Sequence, residues 1–258
     1  MEAFQQKFET LKSIMEAPKI ETEKAMIVIK ELRLKMLKIP FLNGNDQETS
    51  NDVKVMLRTI YEYDAIVNLM IGNLASFFRT MELLKIAYHQ RQELPRSPKM
   101  EILIGVYLIA LLAENRTADF NVSYDAALLL LGQHPTLEYA ATMYKAISDN
   151  SFATIYSLKS NPPHQLYDYI TSNIINGARL SHANSIRNAY ENLTTQELAQ
   201  ILHLDSPAEA AQFALARGWS LNADQTHIIF GKESAKPHFT QESFLGSVDY
   251  CVKVSSLA

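Results

Sequence analysis

TTQELAQILHLDSPAEAAQFALARGWSLNADQTHIIF, residues Thr194–Phe230, is the stretch whose reading decides the fold. Thr194-Thr195-Gln196-Glu197 is a capping box, in which threonine and glutamate satisfy each other's orphan amides, and it starts a short helix over Thr195–Leu202. Ser206-Pro207-Ala208-Glu209 reads as a second box, with proline at the favoured first helical position. The helix it opens ends at Arg217-Gly218, where glycine suits the left-handed conformation of a helix stop. Trp219-Ser220-Leu221 and Thr226–Phe230 then flank the turn formers Asn222-Ala223-Asp224-Gln225, which predicts a β-hairpin. Just upstream, Ser181–Leu193 predicts a first short helix with Ile186, Ala189, Tyr190 and Leu193 inward. Three short helices followed by a hairpin is the order of a winged helix.

Further toward the N-terminus the pattern changes to long helical segments broken by proline and asparagine-glycine punctuation. Helices are predicted over residues 1–17, 21–38, 48–71 (broken near Asp64), 73–90, 98–114, 117–131, 136–147 and 150–159. Ser97 reads as the N-cap of the 98–114 helix and Pro98 as its first residue. Ile102–Ala113 is the most apolar run, but it is shorter than the roughly 20 residues of a membrane span and reads as a buried core helix. Segments of this length with short connectors predict a mainly α fold, a right-handed TPR-like array of helical hairpins leading into the winged helix. The expected domains are 1–180, 181–238 and a C-terminal helix at 239–258. That helix, over Thr240–Ser255, is amphipathic, with Phe244, Leu245, Val248, Cys251 and Val252 at helical spacing. It either folds back on the module or pairs with partner helices.

Totals and motifs argue against catalysis. A net charge of −4 is not that of a nucleic-acid or membrane-surface binder. One cysteine among 258 residues leaves no internal disulfide or cysteine-rich zinc site, and suits a reducing compartment. The start of the chain lacks the basic, then apolar, pattern of a signal peptide. No P-loop, GxGxxG, GxSxG or zinc-protease spacing occurs, the seven histidines are scattered, and Cys251 reads as a buried thiol. Acidic pairs Asp46/Glu48 and Glu62/Asp64 read as solvated helix faces or ends. The expectation is no enzyme, no cofactor and no metal. DNA binding is disfavoured by the alanine-rich helix at Ser206–Arg217, where Arg217 and Gln212 are accompanied by Asp205 and Glu209.

The run ELPRSPKMEILIGVYLIALLAENRTADF, Glu93–Phe120, resembles the central signature of the 26S proteasome non-ATPase regulatory subunit 8 family. The resemblance rests on Leu94-Pro95, Ser97, Gly105, Leu108, Leu111-Leu112, Asn115-Arg116, Ala118 and Phe120, followed by His134-Pro135. It continues in ARLSHANSIRNAYENL at 178–193 and in Ala216-Arg217-Gly218-Trp219. The His134–Ser157 region departs from the family, with a longer connection between helices. Two sister families, subunit k of translation initiation factor 3 and subunit 8 of the COP9 signalosome, share this architecture; the stretch around Asn115-Arg116 and the chain length favour the proteasome family. The resemblance implies a PCI fold and a cytoplasmic and nuclear lid subunit that promotes lid–base docking, with lid subunits as partners, chiefly non-ATPase subunit 3. It assigns structural roles to Asn115, Arg116, Phe120, Arg217, Gly218 and Trp219. Pairing through the hairpin edge would use Ile228 and Phe230, and a helix bundle would bury Phe244, Val248 and Val252.

Overall fold

A computed structural model of the chain describes residues 2–17, 20–36, 50–90, 94–224 and 226–230. The expected tail helix, with Phe244, Val248, Cys251 and Val252, lies outside the described residues, as do Lys232, Lys236, Asp46 and Glu48. The fold is mainly helical, with one small antiparallel sheet near the C-terminal end of the described residues. The chain divides into two compact units, Met1–Arg179 and Leu180–Ala258.

In the first unit the helices run α1 (Glu2–Met15), α2 (Thr22–Met36), α3 (Asn51–Ile71), α4 (Leu74–Gln90), α5 (Met100–Ala113), α6 (Thr117–Leu131), α7 (Pro135–Ser148) and α8 (Phe152–Lys159). Neighbours in sequence pack on each other along most of this series, and α5 also packs on α3 and α7. Helix α5 is apolar on every face and buries Leu103–Leu112 without interruption, as a core helix must. Ser97 does not cap it. The helix starts at Met100, and Ser97 makes a turn ahead of it, its Oγ accepting the Lys99 N–H at 3.3 Å and its carbonyl the Met100 N–H at 3.2 Å.

Gly105 lies where α5 meets α7 and the 3-10 turn at Gln165–Tyr167. A Cβ there would stand 2.0 Å from both Thr136 Cγ2 and Tyr167 Oη, so only glycine lets these parts approach so closely. His134-Pro135 turns out to be a helix cap. Its Nδ1 accepts the Thr136 N–H at 3.3 Å, and its Nε2 stands 3.2 Å from the Glu101 carboxylate of α5. Only Asp149–Ser151 separate α7 from α8, with Asn150 left-handed at φ 52°, so the connection there is short rather than long.

Two expectations about acids and helix breaks fail in α3. The helix runs unbroken through Asp64, and Glu62 and Asp64 are each only 1% exposed. Asp64 accepts hydrogen bonds from Thr80 Oγ1 (2.7 Å) and Asn68 Nδ2 (2.9 Å), with Arg33 at 3.3 Å; Glu62 accepts from Tyr88 Oη at 3.0 Å. Burial raises both carboxyl pKa values despite these partners.

The segment expected as a helix from Ser181 is instead the end of a longer one, α9 (Asp168–Ala189), which begins in the first unit and ends in the second. It stops at Ala189, and Asn192–Thr194 becomes strand β1, not helix. The second unit continues with α10 (Thr195–Ile201), α11 (Pro207–Ala216), β2 (Ser220–Leu221) and β3 (His227–Ile229). Sheet order is β1-β3-β2, antiparallel throughout, with Leu193 opposite Ile228 and Leu221 also opposite Ile228. A separate core fills this unit, built from Ala183, Ile186, Leu193, Leu198, Leu202, Ala210, Ala214, Trp219, Ile228 and Phe230.

Candidate interaction surfaces

The sheet is positioned by the caps on either side of it. At Thr194 the box is complete: Oγ1 accepts the Glu197 N–H at 3.1 Å, and Glu197 Oε2 accepts the Thr194 N–H at 2.9 Å. The Thr194 N–H and the Thr194 hydroxyl, which donates to Oε2 at 2.8 Å, hold the Glu197 carboxyl below its ordinary pKa. The second cap is built differently from the sequence expectation. Ser206 Oγ accepts the Glu209 N–H at 3.2 Å, but Glu209 Oε2 accepts from Asp205 N–H, one residue earlier than a capping box requires. The hairpin is closed by Asn222, whose Oδ1 accepts from the N–H groups of Thr226 and His227.

Arg217-Gly218-Trp219 is a left-handed helix stop carrying an aromatic anchor. Gly218 has φ 70°, its N–H reaches the Leu215 carbonyl, and the Trp219 N–H reaches the Ala214 carbonyl. Trp219 meets Phe230 edge-on at 4.8 Å and Phe213 at 6.1 Å. Arg217 lies over the Phe213 ring at 5.5 Å and donates to Asn184 Oδ1 at 3.2 Å. The same device ends α5. Asn115 is left-handed at φ 56°, and the Asn115 and Arg116 N–H groups reach the Leu112 and Leu111 carbonyls. Arg116 pairs with Asp119 at 2.8 Å and covers Phe78 at 5.1 Å, while Phe120 is buried and stacks on Tyr124 and Tyr144. All six of these residues build helix junctions.

Ile228 and Phe230 are not a docking edge. Both are buried in the module's own core, and β3 is the central strand, its two sides taken by β1 and β2. A missed third strand explains the error: Asn192–Thr194 follows a helical pattern without a break, and its partner lies more than thirty residues away. The sheet's edges among the described residues are therefore β1 and β2. The outward side chains on β3 are His227 and Ile229, the latter 48% exposed, and α11 exposes Ala208, Gln212 and Leu215. Along Pro207–Ala216 α11 carries no lysine or arginine.

Among the described residues, no group of three or more histidine, cysteine, aspartate or glutamate side chains could hold a metal, and no helix is long and apolar enough to cross a membrane. Comparison with known proteins gives a consistent set of relatives. The 26S proteasome non-ATPase regulatory subunit 8 homolog A of Arabidopsis thaliana is 21% identical over 79% of this chain and 76% of its own length. The 26S proteasome regulatory subunit rpn12 of Schizosaccharomyces pombe is 21% identical over 80% of this chain and 73% of its own. RPN12 of Saccharomyces cerevisiae is 26% identical over 91% of each. The model of the CSN8/PSMD8/EIF3K family matches residues 98–239, which hold the α5 core helix, both left-handed stops and the whole sheet. With more than half of its residues matched, the chain belongs to the CSN8/PSMD8/EIF3K family.

Proposed function

We propose that the chain is a non-catalytic structural subunit of the lid of the 26S proteasome regulatory particle, acting through protein–protein contact in ubiquitin-dependent degradation. The observation that carries this reading is the naming of the relatives: three, aligned over 79–91% of this chain, are all proteasome regulatory subunits. Its partners are then other proteasome subunits, and non-ATPase subunit 3 is the one proposed as neighbour. The proposed arrangement is that of a PCI protein in cytoplasm and nucleus: a right-handed helical-repeat arm (1–180), a winged helix (181–238) and an assembly helix (239–258).

Two surfaces serve assembly in this reading. One is the module's β2 or β1 edge, flanked by the exposed Ile229, where a partner strand can add to the sheet. The other is the tail, where burying Phe244, Val248 and Val252 among partner helices contributes roughly 1.5–3 kcal/mol each before association costs. The test is affinity purification of the tagged full chain with quantitative mass spectrometry. Lid subunits in stoichiometric yield are expected; initiation factor 3 or COP9 signalosome subunits in their place would overturn the assignment. Deleting 240–258 is expected to reduce co-purification with proteasomes, and undiminished incorporation removes the tail from the mechanism.

A further inference from the structure

A cavity of about 410 Å³ opens on the first unit between α3, α4, the segment before α5, and α6. Two guanidinium groups, Arg58 and Arg96, line it together with Tyr88, Leu94, Met100 and Leu129. Arg58 is 6% exposed. Its Nη1 donates to the Pro95 carbonyl at 2.8 Å, while its Nε makes no hydrogen bond, the Glu62 carboxylate standing 3.6 Å away. Arg96 is held in place by donating from Nη2 to the Leu130 carbonyl at 2.9 Å. Among the described residues the lining carries two arginines, of which Arg58 is paired with Glu62 and Arg96 is exposed. The planar guanidinium of Arg96, which lines the cavity and is exposed, is suited to a carboxylate.

Apolar surface adjoins this charge. Leu129 is 90% exposed although it also lines the cavity, and Val122, one heptad earlier on α6, is 72% exposed, with Leu128 at 41%. An exposed valine and leucine on one helix face beside a concave site mark a surface that meets another protein. We infer that this cavity and the adjoining α6 ridge form a docking site for an acidic segment of a partner protein, a carboxylate seated against Arg96 and a neighbouring large apolar side chain against Leu129. Charge complementarity selects the acid. The apolar half selects a polypeptide over a nucleic acid, because two arginines beside leucines and a methionine form no cationic track for a phosphate backbone. The inference is independent of which complex the chain joins.

The test pans a phage-displayed library of random dodecapeptides on the full-length chain and titrates the enriched peptide, fluorescein-labelled, by fluorescence anisotropy. Enriched peptides are expected to place Asp or Glu beside Leu, Ile or Phe. Arg96→Glu and, separately, Leu129→Asp are each expected to weaken binding by about tenfold or more, and Arg96→Lys by less, since lysine keeps the charge but not the planar fork. Both positions are at the surface, and Leu129→Asp carries the test alone if Arg96→Glu misfolds. Failure to enrich acidic peptides, or equal binding by the wild type and both variants, overturns the inference. So does tenfold tighter binding on Glu93→Gln, which would make the chain's own Glu93 the occupant, and so does displacement of the peptide by equimolar single-stranded RNA.

Discussion

Gly105 sets a spacing that no other residue type allows. Thr136 and Tyr167 approach the α5 backbone from α7 and from the 3-10 turn, so an added methyl group lands on both at 2.0 Å. Gly105→Ala is expected to lose about 2–3 kcal/mol by overpacking, read as a lower urea midpoint, although alanine has the higher helix propensity. A neutral or stabilising result would mean that the contact yields freely. Asn115 and Gly218 solve a related problem at helix ends, where a left-handed residue returns the last carbonyls to partners. Each hands the chain to an aromatic or cationic residue that fixes the next element, Trp219 in one case and Arg116 in the other.

Within elements, the two kinds of buried or capped carboxyl respond to pH in opposite directions. Glu197 is held below its ordinary value of 4.5 by Thr194, so the box stabilises α10 above that pH and the contribution is lost as pH falls through the lowered value. Thr194→Ala is expected to cost about 1 kcal/mol at pH 7, with the difference from wild type shrinking below pH 4.5 in denaturant titrations. Glu62 in α3 is raised above 4.5 by burial. The folded chain therefore binds more protons there than the unfolded chain, and stability from this group declines as pH rises from 4.5 through the raised value. Glu62→Gln, which keeps a partner for Tyr88, is expected to close its gap to wild type, or overtake it, over that rise. A gap that widens with pH would contradict the sign.

For the whole molecule, the two hydrophobic clusters provide separate reporters. The chain's single tryptophan, Trp219, lies in the second unit's core, so its fluorescence follows that core. Leu198→Ala, which empties a fully buried site there, is expected to lower the fluorescence-detected urea transition by about 2–5 kcal/mol. Leu103→Ala, equally buried in the first cluster, is expected to act chiefly on the far-UV circular dichroism carried by the long helices. Coincident shifts of both signals by both variants would show a single cooperative transition.

Local chemistry alone determined a good part of this protein. The Thr194 box, the stop at Gly218, the β2–β3 hairpin and the apolar α5 helix are each written in residues a few positions apart, because caps, turns and helical periodicity act over one or two turns of chain. The family resemblance was legible for the same reason, since its signatures are helix junctions. What tertiary structure alone decided are the long-range pairings. Strand β1 exists because Asn192–Thr194 finds His227–Ile229, and that pairing moved Ile228 and Phe230 from an edge to the interior. Glu62 and Asp64 have the spacing of surface acids, yet they are buried because α2 and α4 bring Arg33, Thr80 and Tyr88 to them. Burial of a polar side chain depends on what arrives from elsewhere in the chain, and local sequence does not carry that information.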